Sequence, residues 1–461
     1  MIRFIEWFND FLWGLPLIIG IMGTGILLTF KLSFVQFKKL SFALKNTLGK
    51  IFEKTDSSEG DISPFTALAT ALAATVGTGN IVGVSLAIIM GGPGAIFWMW
   101  LAAIFGMATK FSEVSLAVAF REKRGASFVG GPMYYIEKGL NMPKLAKTFA
   151  LFASLAVFGI GNSTQSNAIA GVLRDSFGIS TIITGLSLSI ICGIVIMGGL
   201  STIGKVTEKL VPFMSLFYIV GSVWIIILNR ENFLPALESI FVGAFLPKSV
   251  LGGAAGLSIK AVISSGVARG VFTNEAGLGS SPMAHASAIT DHPVRQGLWG
   301  MTEVFVDTIV ICSLTALVIL TTGVDRSIGV DARSLVANAF ATSSSLGGLI
   351  LSLGITLFAF STILGWAYYG ELAISYLLGE KIKKYYRIIY VIFVFLGANM
   401  DLGLAWVVAN ILNGLMALPN LYALIRLRPT LKRLTDDFFK DPERIRTNSD
   451  ETYNILSSAD K

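Results

Sequence analysis

Long apolar segments dominate this sequence and limit what it can fold into. About eleven can be marked, and they cover approximately residues 11–30, 64–90, 93–120, 147–170, 179–200, 209–229, 256–283, 296–323, 346–377, 386–400 and 403–424. A helix that crosses a bilayer needs roughly 20 such residues, whereas membrane β-strands alternate over about 10. Hydrophobic residues make up 53% of the 461 residues and charged residues only 14%, which excludes a disordered chain and argues strongly against a soluble enzyme. The sequence therefore predicts an all-α polytopic membrane protein.

The positive charges are divided unevenly between the loops on the two sides of these segments. The side that carries the C-terminal tail holds most of the lysines and arginines, including Lys54. The opposite side holds only Arg3, Arg174, Arg230, Lys248, Arg326 and Arg333. Because cytoplasmic loops collect Lys and Arg, we expect the N-terminus outside and the C-terminus in the cytoplasm. The net charge of +7 then reflects orientation, and no nucleic-acid partner is expected.

Two of the apolar segments are interrupted by glycine and polar residues. The second contains ATVGTGN over residues 74–80, and the seventh contains SSGVARGVFTNEAGLG over residues 264–279. Glycine weakens a helix interior and adopts backbone angles that end a helix. Non-helical backbone at membrane depth must line a cavity or be buried in protein. Both segments are therefore predicted to be discontinuous helices, although close packing between glycine-rich helices is the alternative.

The spacing of the two interruptions predicts an internal repeat. They lie about 190 residues and five spans apart, and an odd number of spans inverts the second copy, as in inverted-repeat transporters. The predicted division is an extra N-terminal helix with a cytoplasmic linker (1–60), a first five-helix repeat (61–230), a second, inverted five-helix repeat (231–425) and a cytoplasmic tail (426–461).

A broken helix offers two kinds of binding group. Exposed N–H groups at a half-helix N-terminus attract an anion, and freed carbonyl groups coordinate a small cation. An amino acid and a sodium ion would suit such a site, because hard cations favour oxygen ligands. Candidate side chains in the two breaks are Thr75, Thr78, Asn80, Ser264 and Ser265.

Polar residues also occur within the fourth and ninth segments. The fourth contains GIGNSTQSN over residues 159–167, and these positions cannot all face lipid. In the ninth, Ser361 and Thr362 precede Trp366, which lies four residues after Thr362 and can share its helix face. Trp366 could either pack in the protein interior or form a wall of a binding pocket, and the sequence does not decide between these roles.

Few charges lie within the segments. Arg269 and Glu275 in the seventh segment suggest a gate or a polar network, with a substrate contact as the alternative. The other embedded charges are Lys110 and Glu113, which could pair, and Glu303 and Asp307, which need a counter-ion, a proton or water.

No catalytic pattern stands out, so an enzyme is not expected. The stretch from Gly199 to Lys205 imitates a phosphate-binding loop, but Val206 replaces the required Ser or Thr. Within transport, proton coupling through Glu303, Asp307 or Glu275 is an alternative to sodium coupling, and a channel is a further alternative class.

Three motifs carry a family resemblance that runs from roughly residue 10 to 425. They are TVGTGNIVG over 75–83, GGPMYY over 130–135 and GVARGVFTNEAGLGS over 266–280. These motifs resemble those of the alanine or glycine:cation symporter family. The resemblance implies a LeuT-like fold, sodium-driven uptake of alanine or glycine across a bacterial or archaeal plasma membrane, and no organic cofactor.

The same resemblance implies roles for individual residues. Thr78 and Gly79 would meet the substrate carboxylate. The rest of the substrate pocket would be lined by Gln165, Ser265, Gly266, Thr362 and Trp366. One sodium ion would be bound by the carbonyls of Ala73 and Val76 with Ser361 and Thr362, and a second by Thr75 and Asn80. Arg269, Asn274 and Glu275 are the predicted gate or network residues.

Overall fold

The computed structural model describes residues 2–51, 59–125, 127–246, 258–326 and 330–441. Lys54 and Lys248, which the orientation argument uses, lie outside these ranges. So do residues 256–257 of the predicted seventh segment and the tail from residue 442 onward.

Helices make up most of the described chain. They are α1 (Ile2–Leu12), α2 (Leu15–Lys31), α3 (Pro64–Thr75), α4 (Val82–Gly91), α5 (Ala95–Ala119), α6 (Pro132–Leu140), α7 (Pro143–Phe177), α8 (Thr181–Met197), α9 (Gly199–Leu228), α10 (Phe233–Phe245), α11 (Ile259–Asn274), α12 (Pro293–Thr322), α13 (Ala332–Ser343), α14 (Gly347–Leu378), α15 (Lys383–Asn399), α16 (Gly403–Arg426) and α17 (Arg428–Lys440). Shorter helical turns cover Val35–Lys38, Leu40–Asn46, Leu48–Lys50, Thr78–Asn80, Arg230–Asn232, Pro282–His285, Val324–Arg326 and Glu380–Ile382. A small antiparallel hairpin pairs β1 (Glu122–Arg124) with β2 (Ser127–Val129).

Each predicted apolar segment contains a helix, which confirms the polytopic α-helical class. Seven helices of the described chain are long and apolar enough to cross a membrane, namely Ile2–Lys31, α5, α7, α9, α12, α14 and α16. Three shorter apolar helices are α3, α4 and α8. The count of eleven spans and the inverted repeat stay predictions.

Both predicted discontinuous helices are observed. Helix α3 ends at Thr75, Gly77 is extended, and α4 begins at Val82. The side chain of Asn80 accepts a hydrogen bond of 2.9 Å from the Gly77 N–H, which satisfies one backbone group freed by the break. Helix α11 ends where Glu275 adopts a left-handed conformation with φ of 55°, and the chain becomes helical again at Pro282–His285.

Close helix packing accounts for part of the glycine content. Helix α5 lies against both α11 and α12. A Cβ atom on Gly266 of α11 would lie 2.1 Å from the Ala95 carbonyl oxygen, and one on Gly300 of α12 would lie 2.6 Å from Val114. Since real contacts of this kind need more than 3 Å, these glycines let the backbones approach as small residues do in membrane bundles. Both explanations of the glycine-rich segments therefore apply, at different residues.

Several features of the fold were not predicted from the sequence. Helices α7 and α12 contain π-helical turns over Phe158–Ser163 and Phe305–Cys312. Helices α6, α10 and α13 connect the apolar segments and were not predicted. The predicted polar tail begins instead as helix α17, whose apolar face packs onto the bundle, with Leu431, Leu434 and Phe438 fully buried.

Candidate functional site

The first helix break lies directly against helix α14. The Ser361 hydroxyl oxygen is 3.2 Å from the Ala73 carbonyl oxygen, and the Thr362 hydroxyl oxygen is 3.4 Å from the Val76 carbonyl oxygen. Both hydroxyl-bearing side chains are buried. Each hydroxyl therefore lies beside one of the two carbonyls that the resemblance assigned to the same sodium ion, and each also donates to the Phe358 carbonyl of α14, at 2.8 and 2.9 Å. We call these four groups the oxygen cluster, since hard cations favour oxygen ligands of this kind.

Glycine allows this close approach. A Cβ atom on Gly365 would lie 2.7 Å from the Cβ of Ala74, and one on Gly77 would lie 2.6 Å from the Thr362 hydroxyl oxygen. Either side chain would separate α14 from the break. The oxygen cluster thus depends on the absence of side chains at these two positions.

Helix α7 also borders the first break. The Gln165 side-chain oxygen lies 3.5 Å from the Thr78 nitrogen, and its amide nitrogen donates to the Ile160 carbonyl at 3.1 Å. Thr78, Gln165 and Thr362 therefore lie around Gly77 and can face one small ligand beside the oxygen cluster.

Trp366 is buried one helical turn beyond Thr362. Its ring packs against Gly161, where a Cβ atom would lie 2.2 Å from the tryptophan side chain. Its indole N–H donates to the Glu275 carboxylate at 3.1 Å. The tryptophan therefore links α7 to the second break.

Thr75 and Asn80 are engaged in other contacts. The Thr75 hydroxyl donates to the Ala71 carbonyl at 3.2 Å within its own helix. The Asn80 side-chain amide donates to the Asp307 carboxylate at 2.6 Å and lies 3.3 Å from the Cys312 sulfur. Asp307 is a member of this polar group that the sequence did not place there, because its contact depends on packing between distant helices. A second sodium site at Thr75 and Asn80 stays a prediction.

Ser265 and Gly266 lie apart from the group around Thr362. Ser265 lines a separate cavity of about 540 Å³, together with residues of α1 and α16. Gly266 packs against α5, as described above. Their roles as substrate ligands stay predictions.

The predicted gate or network residues Arg269 and Glu275 make separate contacts. No hydrogen bond or ion pair joins the two side chains in the described ranges, and the Arg269 guanidinium lies 6.0 Å from the centre of the Phe272 ring. Glu275 instead accepts hydrogen bonds from Ser280 and Trp366. Asn274 donates to the Thr308 hydroxyl at 3.2 Å, so it connects α11 to α12.

A buried charge cluster lies near the second break. The Lys110 ammonium is 3.3 Å from the Glu303 carboxylate, whose other oxygen is 3.1 Å from His285. Lys110 therefore pairs with Glu303 rather than with Glu113, three residues along its own helix. Glu113 accepts hydrogen bonds from the Gly277 backbone and the Asn420 amide. Sequence spacing favoured the local pair, and only the packing of α5 against α12 reveals the distant one.

Comparison with known proteins identifies the family. The sequence matches the sodium:alanine symporter family over residues 1–452. The chain belongs to this family. Members of the sodium:alanine symporter family are transporters, so the chain is a cation-coupled amino-acid symporter and not an enzyme.

Relatives of the chain cover almost its whole length. It is 47% identical over 427 residues to the sodium/alanine symporter AgcS of Methanococcus maripaludis, a match that covers 91% of this chain and 93% of the relative. It is 37% identical over 434 residues to the “Probable sodium/glutamine symporter GlnT” of Bacillus subtilis, covering 93% and 89% of the two chains.

The fold is that of LeuT-type transporters. A Na⁺-coupled sialic acid symporter in a substrate-bound outward-open state superimposes with a TM-score of 0.57, at 16% identity and 86% coverage of each chain. The expected LeuT-like fold is therefore confirmed for this member of the sodium:alanine symporter family.

Proposed function

We propose that the protein couples the inward movement of sodium to uptake of a small neutral amino acid, alanine or glycine, by alternating access. The observation that carries the proposal is the cluster of oxygen atoms from Ala73, Val76, Ser361 and Thr362. Two carbonyls and two hydroxyls suit a hard monovalent cation.

The substrate would bind beside this cluster. The amide groups at Thr78 and Gly79, just beyond the first break, would donate to the substrate carboxylate. Gln165 would contact the polar part of the substrate from α7, and Trp366 would close one wall and favour a small side chain. Ser265 and Gly266 of the second broken helix are included in this proposal as further substrate-lining residues.

The proposed sodium site and the proposed substrate site are adjacent, and this adjacency would couple sodium binding to substrate binding. Val76 is a sodium ligand in this proposal, and Thr78 is a substrate ligand two residues later. Sodium bound between α14 and Val76 would hold the Thr78 and Gly79 amides in position, and a bound carboxylate would in turn hold Val76. Such a coupling free energy is reciprocal, so sodium and substrate each tighten the binding of the other.

The proposed cellular arrangement follows the charge asymmetry of the loops. The protein would lie in the plasma membrane with its N-terminus outside and α17 in the cytoplasm. The two five-helix repeats over 61–230 and 231–425 would move relative to each other around the site between the breaks.

Uptake of labelled L-alanine by proteoliposomes tests the proposal. We expect saturable uptake that is driven by an inward sodium gradient and abolished when choline replaces sodium. Uptake that persists in choline and follows a pH gradient would show that protons, and not sodium ions, drive transport. Single-channel currents would favour a channel. Competition by glycine, D-alanine and L-glutamine in the same assay defines the substrate class, and L-glutamine as the best competitor would overturn the preference for small side chains.

A further inference from the structure

A further cavity lies between α3, α9, α12 and the helical turn Leu48–Lys50. Its volume is about 740 Å³. It reaches the surface of the bundle, because Lys209 and Pro212 in its lining are exposed. We call it the lateral groove and define it by Leu68, Leu72, Lys209, Ser215, Ile219 and Val306.

The lateral groove has the apolar lining and the length that suit an acyl chain. Leu68 and Leu72 of α3 face it together with Ile219 of α9 and Val306 of α12. From Lys209 to Ile219 the groove follows α9 for about 15 Å, at a rise of 1.5 Å per residue. The hydrocarbon core of a bilayer is about 30 Å thick, so one leaflet fills about half of it. The groove therefore matches the depth of a single leaflet.

Lys209 lies at the polar end of the groove. Its ammonium forms no hydrogen bond or ion pair with any residue that the structure describes, and its side chain is exposed. The neighbouring Glu208 carboxylate is held toward α3, where it accepts a hydrogen bond of 2.8 Å from the Thr66 hydroxyl. The charge asymmetry of the loops predicts that this end of α9 faces the cytoplasm. Anionic lipids give the cytoplasmic leaflet its negative surface potential.

We propose that the lateral groove binds an anionic phospholipid of the cytoplasmic leaflet, with one acyl chain along α3 and α9 and the phosphate group at Lys209. The apolar walls would hold the chain by excluding it from competing lipid contacts. Lys209 would select an anionic headgroup over a zwitterionic one, because a juxtamembrane lysine attracts anionic lipid.

A lipid in the groove would brace the first half of the broken helix. Leu68 and Leu72 belong to α3, and Leu72 directly precedes Ala73, whose carbonyl is part of the oxygen cluster. A ligand favours the arrangement of the protein that it binds best, so the lipid would hold α3 against α9 and α12. The lipid site itself does not depend on which amino acid or ion the protein carries.

Native mass spectrometry of the full chain in detergent tests the lipid site. Dioleoyl phosphatidylglycerol or dioleoyl phosphatidylcholine is added at equal concentration, and the lipids that stay bound are counted. The two lipids have the same acyl chains, so a difference between them reports the headgroup. Hydrogen exchange of the α3 amides is then compared in phosphatidylcholine nanodiscs with and without phosphatidylglycerol.

Two substitutions change the groove, and each has a matched control. Ser215→Trp places a large side chain in the groove and breaks no contact of the described residues, because the buried Ser215 hydroxyl has no hydrogen-bond partner among them. Leu216→Trp is its control, since Leu216 is exposed and does not line the groove. Lys209→Gln removes the ammonium, and Lys384→Gln, at an exposed lysine of α15, is its control.

We expect the wild-type protein to retain phosphatidylglycerol in preference to phosphatidylcholine. Lys209→Gln should lower the affinity for phosphatidylglycerol about fivefold, as expected for one lysine at an anionic surface. Ser215→Trp should lose one bound lipid of either kind. Phosphatidylglycerol should slow exchange in α3 of the wild type but not of Ser215→Trp, and both controls should behave as the wild type.

Equal lipid retention by Ser215→Trp and Leu216→Trp would overturn the inference. So would an equal preference for phosphatidylglycerol in Lys209→Gln and Lys384→Gln, a comparison that leaves the walls of the groove intact and remains decisive if Ser215→Trp does not fold. If Ser215→Trp changes the proportion of dimer in the same spectra and leaves lipid retention unchanged, the groove binds a second copy of the chain, and the lipid assignment is wrong.

Discussion

Gly365→Ala is the substitution that tests the oxygen cluster most sharply without removing any of its atoms. The new Cβ atom would lie 2.7 Å from the Ala74 Cβ, 2.8 Å from its nitrogen and 2.9 Å from its Cα. Non-bonded carbon atoms prefer about 3.5–4.0 Å. Helix α14 would therefore have to move away from the break by about 1 Å at this point.

That displacement acts one helical turn from the proposed sodium ligands. Metal–ligand distances tolerate changes of only about 0.2 Å, so the Ser361 and Thr362 hydroxyls could no longer share one ion with the Ala73 and Val76 carbonyls. We expect the sodium concentration for half-maximal alanine uptake to rise at least about tenfold, which corresponds to about 1.4 kcal/mol. The folded state should survive, because overpacking of this kind costs about 1–3 kcal/mol.

Gly348→Ala is the matched control on the same helix. A Cβ atom there meets nothing within 4 Å, so sodium activation should be unchanged. Uptake of labelled L-alanine is measured over a sodium series in proteoliposomes, with thermal unfolding in detergent to monitor folding. If Gly365→Ala folds and is activated by the same sodium concentrations as Gly348→Ala, the reasoning about this contact is refuted.

Three further predictions concern individual buried or part-buried contacts. Trp366→Phe removes the donor to Glu275, so the KM for alanine uptake should rise about tenfold, whereas Glu275→Gln, which keeps an acceptor, should change it little. Lys110→Met leaves the buried Glu303 carboxylate without its ammonium partner and should lower stability by about 3 kcal/mol, seen as earlier thermal unfolding; an unchanged transition would contradict the pairing. Arg121→Gln removes donors to the carbonyls of residues 59, 286 and 288, so hydrogen exchange of nearby amides should accelerate about tenfold. Equal exchange would show that Arg121 does not hold these loops together.

The sequence predicted the features that depend on neighbouring residues, namely the membrane-length helices and the two helix breaks. The apolar segments predicted the helices, because a bilayer-spanning helix needs a continuous apolar length. The glycine and polar residues around Gly77 and Gly277 predicted both breaks. The resemblance assigned Ala73, Val76, Ser361 and Thr362 to one sodium ion, and the two hydroxyls lie 3.2 and 3.4 Å from the two carbonyls.

The sequence did not predict which side chains of distant helices contact each other. Lys110 can reach Glu113 along its own helix, and only the crossing of α5 and α12 makes Glu303 its partner. Asp307 meets Asn80 across 227 positions of sequence. The close approach of Gly266 to the Ala95 carbonyl likewise depends on how α11 packs against α5. In each case the sequence singled out the residue, but its contact partner depends on how its helix is rotated against the neighbouring helices.

The most direct test of the sodium site is the sodium dependence of alanine uptake in Thr362→Ala. The account predicts folded protein whose uptake has lost sodium activation, or needs at least about tenfold more sodium. Thr356→Ala on the same helix is the control, because its hydroxyl donates to the Ser352 carbonyl of α14 itself, and it should retain wild-type activation. Wild-type sodium activation in folded Thr362→Ala would contradict the assignment of the ion to the first helix break.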